Sequence, residues 1–373
     1  MKYCKKCLMP DTRPGLTFDQ NGVCYPCINY ARQKNTDWQK RFEELKKVCD
    51  KHRGINVNGY DCAIAISGGK DSHAQVYYFK EVLKMNPVLL TVRNTDWTET
   101  GLRNLDNISD VFGCDVIHLQ PSISAARKLF KKTFEDLGQP SWYNDSLLYA
   151  YPYRMAMQLG VKLLIYGEDV SYTYGGIDAE EKPSAMLQPY NGVIQDYLSN
   201  WLDDGGITKQ DLEYTRPPSV DECKKFGLEP IYLSYYIPWN SVHNYHIAQR
   251  WGFRHLQHEH IREGFLENYD QVDSLSYLFN IHMKYLKYGH ANVTDIASRW
   301  IRYGLKTREE MIPVVEEIDG VLDQDVKEKF CEFIRITTRE FTAIMDKWYN
   351  RKLFEQDMGG VWHPKFKVGQ GLF

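Results

Sequence analysis

Residues 62–72 read Cys-Ala-Ile-Ala-Ile-Ser-Gly-Gly-Lys-Asp-Ser and join a short apolar run to a polar, glycine-containing turn. The apolar run at 63–66 predicts a buried strand, and apolar residues recur at helical spacing after the turn, so the turn links a strand end to a helix start. Glycines let the backbone approach an anion closely, and the free N–H groups at a helix start favour negative charge. With the hydroxyls of Ser67 and Ser72, the stretch is interpreted as a phosphate-binding turn.

This turn lacks the Gly-x-x-x-x-Gly-Lys-Ser/Thr spacing of a Walker loop. It resembles instead the PP-loop, Ser-Gly-Gly-x-Asp-Ser, of the ATP pyrophosphatases, which cleave ATP between the α- and β-phosphates. An ordinary glycine turn is the alternative, but the strand-turn-helix setting favours ATP. The resemblance implies catalytic roles for Lys70 and Asp71 and ATP binding by Ser67, Gly68, Gly69, Asp71 and Ser72.

Apolar runs at 88–92, 116–119 and 161–166 alternate with helical patterns, which predicts an α/β fold with a doubly wound parallel sheet of the PP-loop (adenine-nucleotide alpha-hydrolase) type. Ligands of such sheets bind beyond the carboxyl ends of the strands. Val92 and Asn94 are therefore predicted to approach the adenosine.

Two carboxylates follow the run at 161–166. Glu168 is predicted to meet a Mg²⁺-bound pyrophosphate or the substrate nitrogen in a catalytic role, whereas Asp169 has a helix or turn cap as an almost equal alternative. A further strand is predicted at 231–237.

Four of the nine cysteines form two Cys-x-x-Cys pairs, Cys4 with Cys7 and Cys24 with Cys27. Two such pairs supply four thiolates to a tetrahedral Zn²⁺, and so small a segment needs help to hold its shape. Two redox motifs are the alternative, but the βαβ context of thioredoxin-like chemistry is missing. A zinc ribbon is predicted, with a structural metal because no ligand position remains for water.

At 373 residues the chain is longer than one average domain. We predict a zinc ribbon with a linker helix at 1–55 and a PP-loop domain at 56–260. An aromatic, irregular insertion at about 171–219 is expected to cover the substrate. A helical region with a loosely packed tail is expected at 261–373.

The net charge of −3, from 46 basic and 49 acidic residues, provides no basic field for nucleic acid, so a small-molecule substrate is favoured. The sequence contains neither an apolar run of about 18 residues nor a signal-peptide pattern at its start. We therefore expect no membrane association and a cytoplasmic location.

Several stretches resemble one family in particular, the N-acetyl sugar amidotransferases of bacterial surface-polysaccharide (lipopolysaccharide O-antigen) and nonulosonic-acid pathways. They are the first Cys-x-x-Cys pair with Met-Pro-Asp-Thr-Arg-Pro at 9–14, the turn at 67–72, Gly167-Glu168 with Tyr174-Gly175-Gly176, Tyr-Tyr-x-x-Trp at 235–239, Lys-Tyr-Gly-His at 287–290 through Arg302, and Thr-Arg-Glu-Glu at 307–310.

This resemblance implies that ATP, with Mg²⁺, activates the amide oxygen of a sugar acetamido group as an adenylate. Ammonia then displaces AMP and leaves an acetamidino group. The sugar arrives free or on a nucleotide, and the residues implied to bind it are Tyr174, Gly175, Gly176, Trp239, His290 and Arg302.

The ammonia needs a source. An amino-terminal-nucleophile glutaminase would have cysteine at position 2, where Lys2 stands, and no Gly-x-Cys-x-Gly segment is present. The resemblance implies a separate glutaminase subunit, similar to the glutaminase and cyclase pair of histidine biosynthesis.

Other interpretations stay open at this point. PP-loop tRNA sulfur transferases also carry zinc knuckles, and a non-catalytic zinc-ribbon adaptor could sense nucleotide with its α/β domain. Asp295 and Arg299, four residues apart on a predicted helix, are expected to form a surface ion pair. Arg302 on the same helix could instead reach an anionic substrate.

Overall fold

The computed structural model describes residues 1–176, 180–190, 201–202 and 206–372. Its centre is a five-stranded sheet in the order β3-β2-β1-β4-β5, in which every neighbouring pair is parallel. The strands are β1 Cys62–Ala65, β2 Pro87–Val92, β3 Val116–Leu119, β4 Leu163–Tyr166 and β5 Glu229–Tyr232. The chain reverses its direction of winding between β1 and β4, where such sheets bind ligands. The predicted α/β fold with a parallel sheet is confirmed.

Helices cover both faces of this sheet. Ile64 and Leu89 pack with Phe79 on one face, and Ala63 and Leu164 pack in a separate cluster on the other. The helices up to the last strand of the sheet are α1 Tyr25–Gln33, α2 Trp38–His52, α3 Lys70–Val76 with a π-helical continuation Tyr77–Val82, α4 Glu99–Phe112, α5 Ile123–Leu137, α6 Trp142–Gln158, α7 Val170–Tyr174 and α8 Val220–Phe226.

The remainder of the chain is mostly helical, as expected. Its elements are α9 Leu233–Tyr236, α10 Ser241–Arg250, α11 Leu275–Tyr288, α12 Asn292–Tyr303, α13 Arg308–Ile318, α14 Gln324–Ile334, α15 Thr338–Trp348, β6 Phe354–Gln356 and β7 Trp362–Pro364. None of the helices in the described ranges has both the length and the apolar character needed to cross a membrane.

The predicted strand at 231–237 was wrong in its second half. The strand ends at Tyr232, and α9 follows at once. The N–H of Ser234 donates to the carbonyl of Gly167 at 2.9 Å, which ties this helix to the end of β4.

The expectation of a loose tail was also wrong. Residues 354–364 form the antiparallel hairpin of β6 and β7, and the Phe354 side chain is buried against Tyr285 and Tyr349. The N–H of Tyr3 donates to the carbonyl of Gly371 at 3.2 Å, so the two ends of the chain are joined.

The predicted insertion at 171–219 lies partly outside the described residues, which omit 177–179, 191–200 and 203–205. Within its described part, Ser184 bridges to Ile231 on β5, and Gln188 accepts a hydrogen bond from Tyr232 Oη at 2.6 Å. The substrate-covering role of the insertion stays a prediction.

Candidate functional site

A cavity of about 640 Å³ lies at the carboxyl ends of β1, β2 and β4, where the winding of the sheet reverses. Its volume is typical of small-molecule sites, which span roughly 300–1,000 Å³. The cavity brings together most of the site residues expected from the sequence: Ser67, Gly69, Lys70, Asp71, Ser72, Val92, Asn94, Glu168, Tyr174, Gly175, Gly176 and His290.

The turn after β1 is held by its own hydroxyls. The N–H of Ser67 donates to Ser72 Oγ at 2.9 Å, and α3 begins at Lys70 with Gly69 as its N-cap. Gly68 has a φ of +84°, and a Cβ there would lie 3.1 Å from the Leu105 backbone nitrogen. The glycine is therefore required by both backbone conformation and space.

Lys70 lies at the centre of a buried charge network. Its Nζ is 2.8 Å from Asp71 Oδ2 and 2.6 Å from Asp270 Oδ1, and Arg299 binds the other oxygen of Asp270. Burial opposes ionisation of Asp270, but Arg299 and Lys70 hold its pKa well below the ordinary value. The other carboxylate oxygen of Asp71, Oδ1, accepts from Asn244 Nδ2 at 2.8 Å. The network fixes the lysine beside the Ser-Gly-Gly turn.

The predicted ion pair between Asp295 and Arg299 was wrong. Arg299 binds Asp270, whereas Asp295 binds Arg13 at 2.8 Å and Lys284 at 3.2 Å. Helix α12 is buried between the ribbon and the cavity, so both side chains find oppositely charged partners on other elements.

Glu168 directly follows β4 and lines the cavity. Burial, reinforced by the negative charge of Asp71, raises its pKa to about 7. Tyr174 Oη donates to Glu168 Oε1 at 3.3 Å. A carboxylate with a pKa near neutrality is suited to accept a proton. Asp169 instead caps α7 by accepting from the N–H groups of Ser171 and Tyr172.

Two acidic residues of the cavity were missed from the sequence. Asp273, before α11, and Asp145, on α6, both line it, and burial raises the pKa of each to about 7. Asp273 is hydrogen-bonded by the Ser67 side chain, and a Cβ added to Gly69 would lie 3.7 Å from Asp273 Oδ1. Neither residue belongs to a motif, so no sequence signal marks them.

The other end of the cavity is basic. Arg13, carried by the loop between the two Cys-x-x-Cys pairs, lines it together with Lys284 and Lys287 on α11. Asp295 binds the first two of these cations. Arg13 was part of a quoted motif, but its position in the cavity was not expected.

Three predicted residues do not line the cavity in the described structure: Gly68, Trp239 and Arg302. Trp239 packs beneath Gly167, where an added Cβ would meet its ring at 3.1 Å. Arg302 Nη1 lies 4.0 Å from Cys7 Sγ and so faces the cysteine cluster. Trp239 therefore supports the end of β4, and Arg302 lies away from the cavity.

Cys4, Cys7, Cys24 and Cys27 converge, with their sulfur atoms all within 4.8 Å of one another and every side chain buried. The N–H groups of Lys6 and Cys24 donate to Cys4 Sγ at 3.4 and 3.3 Å. Four convergent buried sulfurs, two of which (Cys4 and Cys7) accept backbone hydrogen bonds, fit a structural Zn²⁺.

The cluster is fixed to the C-terminal region. The N–H of Leu8 donates to Ser298 Oγ at 3.2 Å, and Arg308 Nε donates to the carbonyl of Cys7 at 3.2 Å. A metal at this site would hold the loop that carries Arg13 against the cavity.

Residues 224–367 match the family described as LPS biosynthesis protein WbpG-like, C-terminal domain. The match runs from α8 through β5 to the hairpin, across the boundary predicted at residue 260. A curated relative, the uncharacterized protein MJ1599 of Methanocaldococcus jannaschii, is 24% identical over 185 residues. The alignment covers 48% of this chain and 64% of that protein, less than two thirds of its length.

Two solved structures show a weak similarity. The NH3-dependent NAD synthetase of Campylobacter jejuni, in complex with nitrate, has a TM-score of 0.29 and 18% identity over 52% of this chain and 94% of its own. The NMN synthetase of Francisella tularensis has a TM-score of 0.28 and 14% identity over 54% and 92%.

Proposed function

We propose that this protein is an AMP-forming ligase of lipopolysaccharide biosynthesis, which uses ATP and ammonia to convert a sugar acetamido group into an acetamidino group. The observation that carries the proposal is the Ser-Gly-Gly-Lys-Asp-Ser turn at the β1–β4 switch point, opening into a cavity that extends well beyond it. The WbpG-like match of residues 224–367 supports the polysaccharide context.

The turn would bind the β- and γ-phosphates of ATP. The N–H of Gly69 and the hydroxyl of Ser72, whose oxygen accepts from Ser67, would donate to them, and Lys70 supplies positive charge at the same place. The carboxylates of Asp71 and Asp273 are hard oxygen ligands of the kind that Mg²⁺ prefers, and they would hold it there. Bound Mg²⁺ would neutralise charge on the leaving pyrophosphate.

The chemistry has two steps. The amide oxygen attacks the α-phosphorus, the bond to the β-phosphate oxygen breaks, and the amide nitrogen loses a proton, which Glu168 would accept. Ammonia then adds to the imidate carbon, and the carbon–oxygen bond breaks to release AMP. An amide oxygen is a poor leaving group, and adenylation makes it a good one. ATP, the amide and ammonia thus give the amidine, AMP and pyrophosphate.

The middle of the cavity would take the sugar ring. Tyrosine rings with polar edges suit a sugar, which presents both C–H faces and hydroxyls. Val92 and Asn94, at the end of β2, would contact the adenosine. The tyrosines that line the cavity are Tyr149, Tyr166, Tyr174, Tyr269, Tyr277 and Tyr288.

Ammonia would come from a separate glutaminase subunit, of the kind that acts with a cyclase in histidine biosynthesis. The sequence supports this proposal because it contains no recognisable glutaminase segment of its own. Free ammonium at high concentration would then replace the partner.

The sulfur-transferase alternative lacks a nucleophile at the site. All nine cysteines lie in the described residues, and none of them lines the cavity. Cys114 and Cys223 are buried elsewhere, and burial raises the pKa of both thiols, which disfavours the thiolate.

The test is to incubate the protein with ATP, Mg²⁺, ammonium and a panel of N-acetyl sugars and their nucleotide derivatives. AMP and pyrophosphate should form only when both sugar and ammonium are present, and the sugar should lose one oxygen and gain one NH group by mass. Asp71→Asn should abolish turnover, while Asp50→Asn on the exposed face of α2 should not. Formation of ADP, or turnover that is independent of sugar, would overturn the proposal.

A further inference from the structure

Helix α11 forms a long wall of the cavity. Tyr277, Asn280, Ile281, Lys284 and Lys287 all line it from one face of this helix. The helix begins at Leu275, two residues after Asp273, which lies beside the turn at 67–72. At about 1.5 Å per residue, Lys284 and Lys287 lie roughly 14 and 18 Å further along the helix axis. They are therefore well separated from the turn.

The charges at this remote end do not cancel. Arg13 and Lys284 share the single carboxylate of Asp295, at 2.8 and 3.2 Å. Lys287 Nζ donates only to the carbonyls of Leu137 and Gly138, at 3.3 and 3.0 Å, and no carboxylate within the described ranges pairs with it. Carbonyl dipoles do not neutralise a charge. The three cations Arg13, Lys284 and Lys287, called the basic cluster below, therefore keep an excess of positive charge over Asp295.

One further acidic group faces the cluster. Asp145 on α6 lines the cavity and accepts from Ser141 Oγ at 2.7 Å. Burial raises its pKa to about 7, although Lys284 opposes the shift. Burial therefore favours the neutral form of Asp145, and the excess of positive charge stays in place. Burial and the charge of Lys284 lower the pKa of Lys287 to about 8, as expected for a cation with no anionic partner.

Two buried polar side chains at the same end have unused hydrogen-bonding atoms. His290 is 1% exposed and Asn292 is 5% exposed, and both line the cavity. Neither ring nitrogen of His290, nor Nδ2 of Asn292, makes a hydrogen bond of normal geometry with a described residue. Unsatisfied buried donors of this kind are rare and costly, and they are typical of a site that a ligand completes.

From this geometry we propose that the remote end of the cavity is an anion subsite that binds an acidic group of the sugar substrate. Arg13, Lys284 and Lys287 supply the charge, and His290 and Asn292 supply neutral donors. This inference rests on the proposed function for placing the sugar between the subsite and ATP. The acidic group is either a carboxylate on the sugar ring or a phosphate that links the sugar to its carrier, because both present anionic oxygens to the same donors.

The test measures binding without catalysis. The full-length protein is titrated by calorimetry, in the absence of ATP, with neutral N-acetylglucosamine, its 1-phosphate, UDP-N-acetylglucosamine and N-acetylglucosaminuronic acid. At least one acidic probe should bind ten times or more tightly than the neutral sugar. Preference for the uronic acid assigns the subsite to a ring carboxylate, and preference for the phosphorylated probes assigns it to the linking phosphate.

The variants are Lys284→Gln, Lys287→Gln and the two combined, with Lys347→Gln on the exposed face of α15 as the matched control. The double variant should lose the preference for the acidic probe while its Kd for ATP stays within twofold of the wild-type value. Lys284→Arg should retain the preference and shows whether charge at that position is sufficient. Thermal melts verify that each variant is folded.

Equal affinity of the wild-type protein for acidic and neutral probes would overturn the subsite. So would a double variant that loses ATP affinity and keeps its preference among sugars. The same experiments distinguish failure of the proposed function from failure of the subsite. If the preference for acidic sugars depended on Lys284 and Lys287 but no AMP were released, the subsite would be retained and the ligase activity would be refuted. If AMP release did not depend on either lysine, and acidic and neutral sugars were used equally, the ligase activity would be retained and the anion subsite would be refuted.

Discussion

Lys70 Nζ lies 2.6 Å from Asp270 Oδ1, although 200 residues separate them in the chain. The turn at 67–72 is therefore joined by a loop that follows the parallel sheet by some distance in sequence. A backbone hydrogen bond from Thr98 to the carbonyl of Asp273, at 3.1 Å, joins the same loop to the start of α4. The C-terminal region is thus part of the candidate site.

Replacing Asp270 with asparagine should strongly destabilise the protein. The change leaves the buried Arg299 without its carboxylate partner and leaves the buried Lys70 with Asp71 alone. Removing one partner of such a buried network costs about 3–5 kcal/mol. Urea denaturation at neutral pH would measure the loss.

The matched control is Asp325→Asn. This carboxylate is largely exposed and pairs with Lys329 on α14 at 2.7 Å. Exposed pairs contribute roughly 0–1 kcal/mol, so the control should change little. If the two variants lost similar amounts of stability, the buried network would not have the structural role assigned to it.

The two glycines of the turn should respond differently to alanine. Gly68→Ala places a Cβ 3.1 Å from the Leu105 backbone at a φ of +84°, and such strain costs on the order of 1–3 kcal/mol. Gly69 has a φ of −69°, and an added Cβ would come no closer than 3.4 Å, to Ser67 Oγ. Gly69→Ala should therefore fold normally but reduce ATP affinity by filling space beside the phosphates.

Thermal melts and ATP titration of both variants measure the two effects separately. Each protein serves as the control for the other, since the substitution is the same and only the position differs. A Gly69→Ala protein with wild-type ATP affinity would contradict the placement of the phosphates at this turn.

The sequence indicated those features whose causes are local. The apolar run at 63–66 and the Ser-Gly-Gly turn are contiguous, so the strand, the turn and the helix start follow from short-range preferences. The four cysteines could be grouped because metal ligands recur at fixed spacing. Glu168 was found because parallel strands end at one edge of the sheet.

The residues that were missed depend on tertiary contacts. Asp273 and Asp145 have no motif around them, and only the packing of α6 and α11 around the cavity brings them together. Arg299 was predicted to pair with Asp295 because the two lie four residues apart on a helix. Such i,i+4 ion pairs contribute little free energy, so both side chains instead pair with buried partners on other elements. Trp239 was expected at the substrate, whereas the short helix α9 directs it beneath Gly167.

Glu168 should make a contribution to protein stability that decreases as the pH rises toward neutrality. Burial raises its pKa from the ordinary 4.5 to about 7, so between these values the folded state holds a proton that the unfolded state has lost. The free energy of unfolding therefore falls as the pH rises from about 4.5 to 7, by up to roughly 3 kcal/mol from this group. Glu168→Gln should remove that part of the slope.

Urea denaturation at several pH values between 4.5 and 7.5 would test this prediction. Asp145 and Asp273 act in the same direction and the buried His73, His282 and His290 act in the opposite one. These groups are present in both proteins, so the difference between variant and wild type isolates Glu168. The exposed Glu328→Gln on α14 is the control and should follow the wild-type curve. A Glu168→Gln curve parallel to that of the wild type would show that this carboxylate ionises at its ordinary pH.

Removing the metal should weaken binding at the basic end of the cavity as well as lower stability. The loop between the Cys-x-x-Cys pairs carries Arg13, whose guanidinium binds Asp295 at 2.8 Å. A bound Zn²⁺ would fix this loop, and structural zinc sites contribute folding free energy directly. We expect about one zinc ion per wild-type chain by elemental analysis, and little in Cys4→Ser. The variant should melt at a lower temperature and bind acidic sugars more weakly.

Cys331→Ser provides the control. This thiol is partly exposed on α14 and belongs to no group of potential metal ligands among the described residues. It should keep its zinc, its melting temperature and its affinity for sugar. Treatment of the wild-type protein with a strong chelator should reproduce the Cys4→Ser phenotype, and added zinc should reverse it. A well-folded wild-type protein without zinc would refute the metal site, while zinc loss with unchanged sugar affinity would refute only the link through Arg13.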